Sequence, residues 1–296
     1  MIGNHTFALG RRGLVFLSLA LVSGCAHGIL DPQGPVGESE RLILYDATTI
    51  MLAVVVPVIF CTLAVAWWFR SANSHALRKP TWEYSGRIEF VTWSIPALIV
   101  LFLSGIAWIG SHDLDPPKPL TGQTAAMEIQ VVSLDWKWLF IYPQERVAAV
   151  NQLIIPVNVP VRFRLTSASV MNSFFIPQLG SQIYTMAGMT NELNLLASEA
   201  GAYEGISAQF SGAGFSDMRF AVRAVSPQEY KAWLASTHGV STPLDEAHYR
   251  DLTRPSVAVA PSVYGTVVGG LFDEIVKGHG ESPTAAVGTD IVQEEK

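Results

Sequence analysis

Two long apolar runs set the limits on what this chain can fold into. Ala47 to Phe69 is 23 residues without a charge, and Ile88 to Gly110 is 23 residues whose one charge is Glu89. At about 1.5 Å of rise per residue, each run covers a hydrocarbon core of roughly 30 Å, so both are expected to span a bilayer. Trp67 and Trp68 close the first run beside Arg70, where an interfacial aromatic belt belongs. Pro57 and Pro96 would weaken soluble helices but are tolerated in spans. Composition agrees. Hydrophobic residues make up 49% of the 296 and charged residues 15%, against about 25% charged in a soluble globular chain. That excludes a disordered chain and argues against an ordinary cytosolic enzyme. A net charge of −6 leaves no basic stripe for a nucleic acid.

Residues 1–24 have the anatomy of a secretory signal: basic Arg11-Arg12, an apolar stretch from Gly13 to Val22, then small residues. Val22-Ser23-Gly24-Cys25 resembles the bacterial lipobox, which implies lipidation of Cys25 after cleavage. Residues 25–46 are expected to form an outer linker with one Arg and four acids. The segment between the spans, 70–87, carries Arg70, Arg78, Lys79 and Arg87 against one acid, Glu83. Positive-inside logic puts that loop in the cytoplasm and both chain ends outside. A lipidated N-terminus requires the same side. The other cysteine, Cys61, lies mid-span and is expected to pack as a small apolar residue. With two cysteines in all, a disulfide framework and a thiolate metal site elsewhere are both excluded.

Beyond a stiff hinge at 113–119, strand signals dominate. Val161-Arg-Phe-Arg-Leu-Thr166 alternates apolar and polar residues, and Met218 to Arg223 and Glu192 to Leu195 repeat the device. Glu128–Ser133, Gln152–Ile155 and Ser173–Ile176 are further candidates. Short strands punctuated by Pro, Gly and Asn predict an antiparallel sandwich or barrel over 111–225. Ser226-Pro-Gln-Glu229 is a capping box opening a helix to about Thr237. Thr242 to Asp245 is expected to open a second helix, through about Leu252, and Leu271 to Lys277 a third. These form a helical extension over 226–280, and the polar residues 281–296 are expected to be disordered. Of the seven histidines, none shows paired metal spacing.

This order of elements resembles subunit II of the haem–copper terminal oxidases, with a transmembrane hairpin followed by an all-β, Greek-key cupredoxin-like periplasmic domain. In the cytochrome c oxidase members a two-copper centre is held by an upstream His and the pattern Cys-x-Glu-x-Cys-x-x-x-His-x-x-Met. The matching stretch here runs from Gly201 to Met218. Ser207 and Ser211 stand at the thiolate positions, Gln209 at the Glu, Phe215 at the imidazole, and Asn172 at the upstream His. Met218 alone persists. Paired copper with a delocalised charge needs bridging thiolates and imidazoles, so no metal is expected in this chain, and Tyr184, Met186 and Met189 are expected to pack. The runs Ser133–Trp138, Met171–Pro177, Gly180–Tyr184 and Met186–Met189 make the chain similar to the cytochrome bo-type ubiquinol oxidase branch.

The resemblance implies a multi-subunit oxidase of the inner membrane. Subunit I would hold haem b, haem o or haem a, and a copper ion, and would oxidise ubiquinol, reduce oxygen to water and pump protons. Subunits III and IV and the lipid bilayer complete the expected partners, and cytochrome c is not expected among them. This chain would contribute structure and assembly but no redox group. It also implies one sharp residue. Glu89 begins the stretch Glu89-x-x-x-Trp93-x-x-Pro96, whose carboxylate in the family helps admit protons. Against this stands a simpler role, neutralising the positive end of a helix dipole. Trp136 and Trp138 are expected to pack the β-domain onto subunit I. Two other readings remain: a membrane-anchored scaffold or binding lipoprotein with a cupredoxin-like domain, and a copper-bearing cytochrome c oxidase subunit.

Overall fold

The computed structural model describes residues 28–77, 79–120 and 124–278. The signal segment 1–24, the lipidation position Cys25 and the tail 281–296 lie outside the described residues.

Helix α1 runs from Pro35 to Trp68 and α2 from Gly86 to Asp113. Both are long and apolar enough to cross a membrane, and their most apolar windows are wholly uncovered by the rest of the chain. Pro35 opens α1, where its missing N–H costs no helical bond. The helix therefore starts at Pro35, not at Ala47, and residues 35–46, expected as linker, are a rigid extension of the first span. At its far end α2 continues past Gly110 to Asp113.

The β-domain is a sandwich. Its strands are β1 (Met127–Leu134), β2 (Lys137–Tyr142), β3 (Val147–Val150), β4 (Gln152–Pro156), β5 (Val161–Ser167), β6 (Asn172–Ile176), β7 (Gly180–Thr185), β8 (Asn191–Leu195), β9 (Gly201–Ser207) and β10 (Arg219–Val225). An extension follows: α3 (Pro227–His238), β11 (Pro243–Leu244), α4 (Glu246–Leu252), β12 (Ser262–Tyr264), β13 (Thr266–Val267) and α5 (Leu271–Gly278). One sheet has the order β12-β3-β2-β1-β5-β8, the facing sheet β4-β10-β9-β6-β7, and β11 pairs with β13. Most neighbours are antiparallel, but β1 with β5, β4 with β10 and β11 with β13 run parallel. The two sheets bury Ile129, Trp138, Phe140, Phe163, Phe174, Phe220 and Val222 between them.

The first sheet is buried on both faces at β2 and β3. Val132, Leu134, Leu139, Ile141, Ala148 and Val150 point away from the sandwich interior and are covered by Leu244, Leu271, Phe272 and Ile275 of the extension. All six residues of β2 and all four of β3 are buried as a result. The capping box at Ser226 forms as expected, with Ser226 Oγ accepting from Glu229 N and the Glu229 carboxylate accepting from Ser226 N. The second helix start is corrected. Pro243 and Leu244 form a strand, and the cap is Asp245, which accepts from His248 N at 2.9 Å.

Both ends of the hairpin are fastened to the sandwich. Gly37 N donates to Leu179 O at 3.1 Å. Ser181 donates to Glu40 Oε1 through both its backbone N and its Oγ, each at 2.7 Å. Gly180 has φ +113°, and a Cβ there would sit 2.7 Å from Gly37 N, so this approach needs glycine. At the other end Asn194 donates from its backbone N to Pro116 O at 3.0 Å, and from Nδ2 to Pro117 O at 3.0 Å. The Pro-rich hinge is thus a pinned joint.

Candidate functional site

The six positions matched to copper ligands converge at one end of the sandwich. Asn172 begins β6, Ser207 ends β9, and Gln209, Ser211, Phe215 and Met218 lie on the loop that leads from β9 into β10. Their side chains and nearby main chain satisfy one another. Ser207 Oγ lies 3.1 Å from Asn172 Oδ1 and 3.2 Å from the Gln209 carbonyl. Asn172 Nδ2 donates to Val170 O at 3.1 Å. Ser211 Oγ points at Met218 Sδ, 3.8 Å away. Backbone bonds from Ser207 N to Met218 O and from Met218 N to Phe215 O close the loop. Asn172, Ser207 and Met218 are buried, and Gln209 contributes its carbonyl rather than its amide.

That donor set does not fit a two-copper centre. Two hydroxyls, a carboxamide and a phenyl ring offer neither thiolate bridges nor imidazole nitrogens, and a single thioether remains. The hydroxyls are already engaged with neighbours in neutral hydrogen bonds. Elsewhere among the described residues, no three His, Cys, Asp or Glu side chains gather as a metal site.

The loop is held from above by Trp136. This residue sits in the tight turn between β1 and β2 with φ +63°, an uncommon conformation for a bulky side chain. Its indole Nε1 donates to Ser211 O at 3.0 Å, and its ring covers Gly214 so closely that a Cβ there would lie 2.5 Å away. Trp138 behaves differently from the expectation. It is fully buried inside the β-domain, 5.4 Å from Phe174 and 5.6 Å from Phe220 between ring centroids, and so cannot face a partner. Alternation along the strand sends it inward. Tyr184, Met186 and Met189 also depart from expectation: they are 44%, 36% and 52% exposed and stay out of the core.

Lys137, between the two tryptophans, has no counterpart in the sequence reading. Its residue is 1% exposed, and its Nζ donates to the Arg254 carbonyl at 2.8 Å and to Ser256 Oγ. Burial lowers its pKa below the ordinary lysine value, against an opposing pull from Asp135. Asn151 adds a second strap, accepting from Trp138 N and donating to Val259 O, each at 2.8 Å. A lysine in the otherwise apolar run from Trp136 to Tyr142 was the available signal. Glu89 lies in the first turn of α2, at the end of the hairpin away from the sandwich, exposed on the helix surface with Trp93 one turn on. It shares no contact with the cradle.

Comparison with known proteins places this geometry. The model for the periplasmic domain of cytochrome c oxidase subunit II matches residues 127–225, and that for an aromatic-rich motif of the same oxidases matches 240–278. Cytochrome bo(3) ubiquinol oxidase subunit 2 of Pseudomonas aeruginosa is 47% identical over 93% of this chain and 85% of its own. Ubiquinol oxidase subunit 2 of Acetobacter aceti is 48% identical over 85% of each chain. The Pseudomonas putida cytochrome bo(3) subunit is 45% identical over 89% of this chain and 84% of its own. A cupredoxin-like domain without copper donors, carried on two apolar helices and matched along nearly its whole length by such relatives, belongs to the ubiquinol oxidase subunit 2 family of the haem–copper oxidases.

Proposed function

We propose that this chain is the copper-free subunit II of an inner-membrane complex that oxidises ubiquinol, reduces oxygen to water and pumps protons. The haems and the oxygen-site copper belong to subunit I, with subunits III and IV as further partners. In this reading the chain passes no electrons. Its two spans and pinned β-domain cap the outer face of subunit I and hold the helical packing. The hairpin lies with its 70–87 loop in the cytoplasm, supported by the four basic residues there against one acid. Lipidation at Cys25 would anchor the N-terminus on the opposite side. Glu89, at the cytoplasmic end of α2 in this orientation, serves proton entry.

The observation that carries the reading is the cradle itself: Ser207, Ser211, Asn172 and Phe215 stand where an electron-accepting centre would need sulfur and nitrogen, with the Ser207 hydroxyl bonded to Asn172 and the Ser211 hydroxyl to Met218. The test is to purify the assembled complex and record its haem spectrum, copper content and ubiquinol-dependent oxygen uptake. Ubiquinol oxidation without cytochrome c oxidation, and with copper only at the oxygen site, supports the reading. Mixed-valence absorption of paired coppers in this polypeptide overturns it.

A further inference from the structure

Three methionines stand exposed at the cradle end of the sandwich, although this residue type is mostly buried in folded proteins. Met171, Met186 and Met189 are 39%, 36% and 52% exposed. The ladder between β6 and β7 ends at the pair Asn172 and Thr185, both buried. Met171 and Met186 are the next opposed positions, and alternation turns them to the outer face with Tyr184. Opposed Cα atoms lie about 4.5–5.5 Å apart. The Met186 carbonyl accepts from Thr166 Oγ1 and Ser167 N, which fixes this backbone position. It also accepts from Met189 N at 3.3 Å, across a turn in which Gly188 has φ +73°. Such a turn holds the Cα atoms of Met186 and Met189 within about 7 Å. Three unbranched, freely rotating thioether side chains therefore start within reach of a common point.

We propose that Met171, Met186 and Met189 form a surface site for monovalent copper, Cu(I). The donors select the ion. Thioether sulfur is soft and neutral, and it favours Cu(I) over zinc, magnesium or calcium, which need imidazole, thiolate or oxygen donors. Segments 168–171 and 184–191 carry no Asp, Glu, His, Cys, Lys or Arg. Harder ions therefore find no ligand there, and no side-chain cation repels an incoming one. Glu192, the next acid along the chain, is already paired with Arg162. The site is distinct from the cradle, because Asn172 beside it turns inward to Ser207. Since all three side chains are exposed, the ion enters and leaves without opening the sandwich, which suits transient capture. The assignment concerns the surface of this chain alone and does not rest on the ubiquinol oxidase reading.

The experiment uses the assembled complex, washed with a Cu(I) chelator and kept anaerobic with ascorbate. Cu(I) is added as its acetonitrile complex in competition with bicinchoninate, and uptake is read from the loss of the coloured chelate. Counting the increase over the washed complex leaves the oxygen-site copper out of the measurement. One further Cu(I) per copy of this chain is expected, and Zn(II) should not displace it. Met186→Leu and Met189→Leu keep an apolar side chain of similar volume and should each weaken uptake. Both combined with Met171→Leu should abolish it, whereas Met51→Leu, at an exposed methionine of α1, should change nothing. No uptake by the unaltered complex, or equal uptake by the triple variant, overturns the proposal. So does resistance of all three methionines to sulfoxidation by peroxide in the assembled complex, which would show a neighbouring subunit covering them. Cu(I) has a filled d shell and adds no visible band, so loading this site is distinguishable from the mixed-valence absorption of paired coppers.

Discussion

The indole of Trp136 and the carbonyl of Ser211, 75 positions apart in the chain, are joined by a 3.0 Å hydrogen bond that ties one sheet to the loop of the other. Because the same ring lies flat over Gly214, the loop has no room for a side chain there. Gly214→Ala should push the ring off its seat and cost about 1–3 kcal/mol, the range for overpacking a filled site. Trp136→Phe removes the N–H bond and also the outer indole ring that packs on Gly212 and Gly214, so a loss of about 2–4 kcal/mol is expected. Thermal unfolding should show both losses; a midpoint unchanged in either variant would show that the ring does not hold the loop.

Lys137 should fasten the C-terminal extension. Lys137→Met keeps the length and apolar stem of the side chain but leaves the Arg254 carbonyl and Ser256 hydroxyl without their donor. A cost of about 1–3 kcal/mol is expected, together with faster proteolysis between residues 252 and 262. The pH dependence follows from the lowered pKa. Between the folded value and the ordinary 10.5, the unfolded chain holds more protons on this group than the folded one. Stability from Lys137 therefore rises with pH across that window. The stability difference between the unaltered protein and Lys137→Met should widen there, measured by chemical denaturation; a flat difference counts against a buried ammonium.

Buried tyrosines act in the opposite sense. Tyr142, Tyr230 and Tyr249 are each raised above the ordinary phenol value of 10.0, in every case chiefly by burial. Above about pH 10 the unfolded chain releases these protons while the fold keeps them, so stability falls as pH rises further. Tyr142 also donates to and accepts from Ile154, so its loss should be the most damaging. Tyr142→Phe should flatten the alkaline decline of the denaturation midpoint while lowering its value at neutral pH.

How much of this was legible depends on whether a residue's partners lie near it in sequence. The second span, the Ser226 capping box and the alternating strand expected at Val161–Thr166 follow from local pattern, and the structure places them within a few residues of expectation. The first helix instead begins twelve residues before Ala47. The strands β2 and β3 left no alternation because the extension buries their second face, which erases the period-2 signal. Residues 35–46 looked like linker because their four charges interrupt the apolar run and local pattern says nothing of Gly37 docking on Leu179. The cradle was legible because a fixed spacing names its positions. The roles of Trp136 and Lys137 were not, since Ser211 and Arg254 reach them only through the fold.

Docking of the hairpin should hinge on Glu40. One carboxylate oxygen accepts both the Ser181 N–H and its hydroxyl, and Glu40→Ala leaves that N–H without a partner at a tight glycine contact. A loss of about 1–3 kcal/mol is expected, localised to the joint. Hydrogen exchange should quicken at Ser181 and neighbouring residues of the 178–182 turn without change in β1 and β2. Uniform loss of protection across the sandwich would mean that the joint is part of the global core instead.

Glu89 separates a proton route from a dipole partner. Both roles place a carboxylate in the first turn of α2, but they respond differently to substitution. If the group only offsets the positive helix end, Glu89→Gln alters the stability of the span slightly and turnover not at all. If it carries protons, Gln fails as badly as Ala because neither can release and rebind one at neutral pH. The proposed role therefore predicts that Glu89→Ala and Glu89→Gln both lower ubiquinol-dependent oxygen uptake by about tenfold or more, with normal haem content and assembly. Glu89→Asp, which keeps a titratable group one methylene shorter, should recover much of the rate. Turnover that is unchanged in a normally assembled Glu89→Gln complex assigns the residue to the dipole alone.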